Sequence, residues 1–324
     1  MRRINNLLAT GTVAFALTAA PSAWAAGTIA GTLIQNTASA TFSSGTSTTT
    51  IESNTVSVKV DQLIGVAVTA LTTAPATVGT ADAVLVYQVT NTGNGSDAFD
   101  LTGAPNVAGN GFNATLRTVA IDTNGNGTYD PGVDTVITNG AASQAIAPDA
   151  SIKVFLVTAA PPAATDAQTS QVRLTAVSTI GSGTPGTVFA GKGTSGVDAV
   201  VGASGGTANA LAGLISSLAT VTLTKSATIS DPYGGTNPVP GAMVLYSILV
   251  HATGSGTANS LAVTDAFPAG TTYQPGTIML AGSPLSDAAD SDAGAASASG
   301  ITVQLGNVAG GSPDKTISFK VKIN

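Results

Sequence analysis

The 324-residue chain has no cysteine, one histidine, one tryptophan and a single glutamate, Glu52. Without cysteine there is no disulfide, no zinc–thiolate site and no thiol nucleophile, so stability has to come from core burial, with bound ions as the remaining non-covalent source. One histidine leaves little from which to build acid–base chemistry, and the expectation is a protein without catalytic activity. Charged residues are only 9% of the chain and aromatics 4%, so aromatic platforms for carbohydrate are also scarce. Sixteen of the seventeen acids are aspartate. Helices prefer glutamate, whereas turns and oxygen-rich loops prefer aspartate, and this bias argues against a helical architecture.

What is present begins with a leader. Arg2 and Arg3 precede a short apolar run from Leu7 to Ala20, and Ala23-Trp24-Ala25 has the small-x-small form of a cleavage site. The run is too short to span a bilayer, and residues 1–25 read as a secretory signal peptide. Export would place the protein at the cell surface, in the medium or in the periplasm. Removing the leader leaves 9 basic against 17 acidic residues, a net charge of −8. Such a surface repels phosphate backbones, so nucleic acid is not an expected partner, and no later run is long enough for a membrane span.

The dominant signal is period-two alternation of Val, Ile, Leu and Thr between Gly-, Ser- and Asn-rich turns, the pattern of half-buried strands. Residues 26–64 read as an N-terminal β-hairpin segment, with strands at 32–42 and 55–60 joined across 43–50. Residues 65–178 read as a first β-sandwich module. Residues 179–217, rich in Gly, Ser and Ala, read as a long connection holding a weak helix at 208–218. Residues 218–324 read as a second module.

An internal echo relates the two modules. "VLVYQVTNTGNGSDAFDLT" (84–102) parallels "MVLYSILVHATGSGTANSLAVT" (243–264) in its tyrosine, its strand and its Gly-polar-Gly turn. The turn falls two residues later in the second copy, and an even insertion keeps buried and exposed faces in phase. "VPGAMVLYSI", "TGSGTANSLAVTDAFPAGTTY" and the closing "TISFKVKI" resemble the bacterial conserved-repeat family known as domain of unknown function eleven. The resemblance covers 218–324 well and 65–178 more loosely, with Ala252 standing where the family has asparagine. It implies tandem immunoglobulin-like β-sandwiches in a secreted or surface protein, and it implies no reaction.

Among motifs, "IDTNGNGTYDPGVD" (121–134) carries the strongest chemistry. Calcium loops draw oxygens from positions 1, 3, 5, 7 and 9 around a glycine at 6. Asp122, Asn124, Asn126, Thr128 (through its carbonyl) and Asp130 fit that spacing around Gly127, and Asp134 stands one place beyond the usual closing glutamate. The expectation is a weak calcium site, in the range of ~10⁻⁴–10⁻³ M; the alternative is an ion-free, Asx-rich loop between strands.

A second cluster, Asp287, Asp290 and Asp292, lacks the glycine grammar and reads as an acidic loop. "GASGG" (202–206) fits a nucleophile elbow, and Ser204, Asp231 and His251 follow in hydrolase order. That elbow needs a strand-to-helix turn on a parallel sheet, so a serine hydrolase is a remote alternative. "GSGTPG" (181–186) matches a dinucleotide fingerprint, but Pro185 opposes the helix it requires. The sequence thus points to a calcium-stabilised structural or adhesive surface protein. Its expected partners are other surface proteins or further copies, and alternatives are a strand-exchanging fibre subunit or a ligand-binding module.

Overall fold

The computed structural model describes residues 27–324; the leader expected at 1–25 lies outside them. Among the described residues the chain is nearly all strand, with one short 3₁₀ turn at Thr194–Gly196 and no helix long and apolar enough to cross a membrane. The first four strands are β1 (Leu33–Asn36), β2 (Ser39–Ser44), β3 (Ser47–Glu52) and β4 (Val56–Lys59). They form one hairpin arm, β1 on β4 and β2 on β3. The 43–50 stretch expected as a loop is mostly strand. Thr and Ser suit a pleated edge, so only Gly45-Thr46 is left to turn, with Gly45 at φ +66°.

The first sandwich uses β5 (Gln62–Ile64), β6 (Val66–Ala70), β7 (Ala76–Val78), β8 (Ala83–Asn91), β9 (Phe99–Ala104), β10 (Thr115–Ile121), β11 (Thr135–Ile137), β12 (Ser151–Ala159), β13 (Thr169–Ser178), β14 (Val188–Phe189), β15 (Ala199–Val201) and β16 (Thr207–Ser216). One sheet runs β11-β10-β12-β8-β6 and the facing sheet runs β7-β16-β13-β9. Alternation does what the sequence asked of it. Along β8, Leu85, Tyr87 and Val89 are fully buried between less buried neighbours, and they meet Phe99, Leu101, Leu156, Leu174 and Leu214. The Tyr87 hydroxyl donates to the Val172 carbonyl across this core at 2.7 Å, and burial raises its pKa.

Two expectations for 179–217 are overturned. The 208–218 helix is strand β16, paired antiparallel with β13 and parallel with β7. Ala and Leu favour a helix only weakly without caps. Here alternate residues Ala212, Leu214 and Ser216 are buried against the sandwich, so tertiary pairing outweighs propensity. Nor is the rest of the segment a free connection. β15 lies parallel to β5 and carries β14, and Ile64, Ala199 and Val201 make a small core of their own.

The second sandwich follows: β17 (Ala219–Ser230), β18 (Met243–Gly254), β19 (Thr257–Ala266), β20 (Thr271–Tyr273), β21 (Met279–Leu280), β22 (Ser283–Pro284), β23 (Gly294–Ala296), β24 (Gly300–Ala309) and β25 (Lys315–Ile323). β17-β18-β25-β21-β22, with β20 on β25, faces β19-β24-β23 across Ile248, Ile278, Val303, Ile317 and Phe319. The echoed strands do the same job in both units. β8 and β18 each lie in the larger sheet of their own unit, and after the Gly-polar-Gly turn β9 and β19 cross to the facing sheet of that unit.

Candidate functional site

The 121–134 loop joins β10 to β11, which pair antiparallel from Ile121↔Thr135 onward, as the flanking strands anticipated. Asp122 leaves the end of β10 with its side chain 2% exposed, accepts Gly125 and Gly127 N–H at 2.7 and 2.9 Å, and lies 3.7 Å from Lys153 Nζ. The glycines are needed: both have positive φ, and a Cβ on Gly127 would sit 2.9 Å from that ammonium. Asp134 returns across the loop mouth to accept Thr123 N–H and Asp130 N–H at 3.1 and 2.7 Å. Both carboxylates therefore hold the backbone.

Three other side chains converge. Asn124 Nδ2 and Asn126 Nδ2 both donate to one oxygen of Asp130, at 2.9 and 2.6 Å. These two amides, Asn124 first, hold the exposed Asp130 carboxyl below the usual range. The amide oxygens accept the next-but-one backbone N–H, Asn124 from Asn126 and Asn126 from Thr128. The structure thus gathers Asn124, Asn126 and Asp130 about one point and sets Asp122 and Asp134 to either side as caps. Thr128 enters that network through its N–H. Among the described residues no three acidic or histidine side chains form a group that could hold a metal ion, so Asp122, Asp130 and Asp134 are not brought together as one set of ligands.

The hydrolase residues have other partners. Ser204 lies in a turn between β15 and β16, where its hydroxyl accepts Val66 N–H at 3.2 Å. That is a strand-to-strand turn, not an elbow onto a helix. Asp231 accepts N–H groups from Tyr233, Gly235 and Asn237, which lower its pKa, Asn237 first. His251 Nδ1 pairs with Asp314 at 2.6 Å. The 181–186 stretch is likewise a turn, running into β14 with no helix after it. In the 286–294 loop Asp287 accepts from Tyr273 and from Gly276, at 2.6 and 2.8 Å, and burial and then that carboxylate push Tyr273 up to about 12.

One site escaped the sequence reading. Gln62 and Asn94, 1% and 6% exposed, clamp the base of the hairpin arm. Asn94 accepts Leu63 N–H at 2.6 Å and donates to the Thr28 and Asp61 carbonyls at 2.9 and 3.0 Å. Gln62 donates to Ser96 and accepts from Thr194. The signal lay in "NTGNG": Gly93 and Gly95 leave no Cβ where the arm's end passes, 2.2 Å from Leu63 O and 2.5 Å from Gln62.

No family model matches this chain, and no curated protein matches it. A solved structure from Corynebacterium diphtheriae, named "Putative membrane anchored protein", aligns over 90% of this chain and 89% of its own at 12% identity with a TM-score of 0.22. That superposition is too loose to carry the neighbour's description over to this chain.

Proposed function

We propose that this chain is an exported structural protein of a bacterial cell surface or extracellular matrix, a β-scaffold whose 121–134 loop is stapled by weakly bound calcium. It performs no reaction in this reading. The conserved-repeat resemblance supports the surface role, and the acidic composition and N-terminal leader pattern agree with it. The observation that carries the staple is the convergence of Asn124 and Asn126 on one Asp130 oxygen. Turning an amide over would bring its oxygen to the Asp130 side in exchange for the backbone N–H it now accepts, and a hard cation held by the three side chains would have to make good those bonds. Asp122, already offset by Lys153, stays a cap.

The expected outcome is a calcium-dependent rise in Tm. Calcium at about ten times a sub-millimolar Kd should raise the midpoint of a domain of this size by about 3–6 °C. Asp130→Ala should remove the increment while leaving the chelated protein folded. An equal rise in wild type and variant would refute the staple. A rise that magnesium reproduces would refute its selectivity for the larger ion.

A further inference from the structure

The hairpin arm carries a second inference, independent of calcium. Every residue of β1 to β4 is exposed. Residues opposite each other share a face, and faces alternate along a strand. One face is a polar ladder, with cross-strand hydrogen bonds Gln35–Ser57, Thr37–Thr55, Thr41–Thr50 and Ser43–Thr48 at 2.8–3.4 Å. The other face holds Ile34, Phe42, Ile51, Val56 and Val58, each 50–58% exposed. A two-stranded ribbon with an uncovered apolar face is marginal in water. Yet its base is locked by Asn94 and Gln62, and Lys59 Nζ donates to Ser195 O at 2.9 Å. The arm is a built projection.

The second unit offers a matching edge. β17 is twelve residues long and pairs with β18 without a bulge from Ala219↔Gly254 to Ser230↔Met243. No strand among the described residues pairs with its other side. Its outward residues are Thr220, Thr222, Thr224, Ser226, Thr228 and Ser230. On its core side Leu223 sits opposite Val250 and is 55% exposed where Val250 is 2%. Val221 and Ile229 pack against the core and Lys225 reaches Asp265 of β19 at 2.8 Å, so the gap in the cover of the inner surface is centred on Leu223. The other long edge, β19, is blunted by a bulge between Ala258 and Ala262, with Ser260 at φ +51°. Arm and β17 share a pattern in outline: hydroxyls at Thr37, Ser39, Thr41 and Ser43 and at alternate positions from Thr220 to Ser230, and a mainly apolar opposite face that Asn36 and Ser44 interrupt on the arm and Lys225 on β17.

We propose that the arm of one copy adds an edge to β17 of a second copy of this chain, so that copies join head to tail. The arm's apolar face then continues the inner side of the β17 sheet and covers Leu223, while the two Ser/Thr faces run on together. The area decides against arm on arm. A ribbon face ~40 Å by ~10 Å would bury roughly 800 Å² over two copies, the scale of a crystal contact. Edge addition supplies a ladder of backbone hydrogen bonds besides. The arm carries no charge from Thr28 to Ile51, so the joint avoids the repulsion expected between acidic bodies. Because the two surfaces differ, the contact is heterologous and propagates as an open chain of copies.

Sedimentation of the full chain over a hundredfold concentration range tests this. Unsubstituted protein should run as species of several copies. Phe42→Asp with Ile51→Asp, and separately Leu223→Asp, should each reduce it to one copy with the units' melting unchanged. Thr41→Asp, on the ladder face, should leave assembly intact. Mixing the arm-defective and edge-defective chains should give one-to-one pairs, because one still offers an edge and the other an arm. An unsubstituted chain that stays single overturns the proposal, as does assembly that survives Leu223→Asp. Should Leu223→Asp lower the melting point, Leu223→Ser is read in its place, with the same two outcomes.

Discussion

Asp97 shows how a single residue can set a pH dependence. It is 4% exposed; one oxygen accepts the Ser178 hydroxyl at 2.6 Å, and the other is buried without a partner. Burial raises its pKa, and the Ser178 bond opposes that only in part. A raised folded pKa favours the protonated form, so the contribution is present below the ordinary carboxylate value. It is lost as pH rises through the folded value, and at neutral pH the buried charge is a cost. Asp97→Asn should therefore raise Tm at pH 7, by about 1 kcal/mol of stability, with the gain fading towards acid pH. Equal gains at pH 7 and pH 3.5 would show that charge is not the cause. The aspartate-rich composition had spoken for turns, as Asp231 and the 122–134 carboxylates illustrate. It could not single out Asp97, whose cost arises only once the fold buries it and is relieved in part by the Ser178 hydroxyl at the end of β13.

At the scale of elements, the two Gly-polar-Gly turns act as sockets for the incoming chain. A Cβ on Gly93 would lie 2.2 Å from Leu63 O, and one on Gly254 2.2 Å from Leu218 O. The intruding atoms are backbone, which cannot rotate away. Gly93→Ala should cost about 1–3 kcal/mol and loosen the arm's base, read as faster tryptic cleavage after Lys59. Gly254→Ala should cost more, since its φ is +98°. Unchanged cleavage in Gly93→Ala would mean the arm is held elsewhere. The echo in sequence located both turns. It did not disclose their task, because the chain each receives lies about thirty residues earlier.

Over the whole molecule, the two large cores are separate clusters joined at a narrow seam. Asp166, from the loop before β13, accepts Leu218 N–H at 2.8 Å and Ser255 N–H and Oγ–H at 2.9 and 2.7 Å. These bonds, Leu218 first, lower its pKa. A lowered value means the tie holds above the ordinary carboxylate pKa and is lost as pH falls through the folded value. Asp166→Ala should split thermal unfolding into two transitions further apart than in wild type, by calorimetry at pH 7. In wild type the same separation should appear only in strong acid. A single unshifted transition would mean that the seam does not couple the units.

By itself the sequence determined that the protein is all-β, that it has two echoed strand–turn–strand units and that its acids serve turns. These follow from short-range patterns: alternation, glycine spacing, and aspartate in place of glutamate. Tertiary structure decided the rest. It made β16 of a segment with helix-forming residues, folded 179–206 onto the arm's base, and left an amphipathic ribbon and the β17 edge uncovered. Propensity at those places is weak in either direction. Which partner lies alongside a strand, or fails to, depends on residues a hundred positions away.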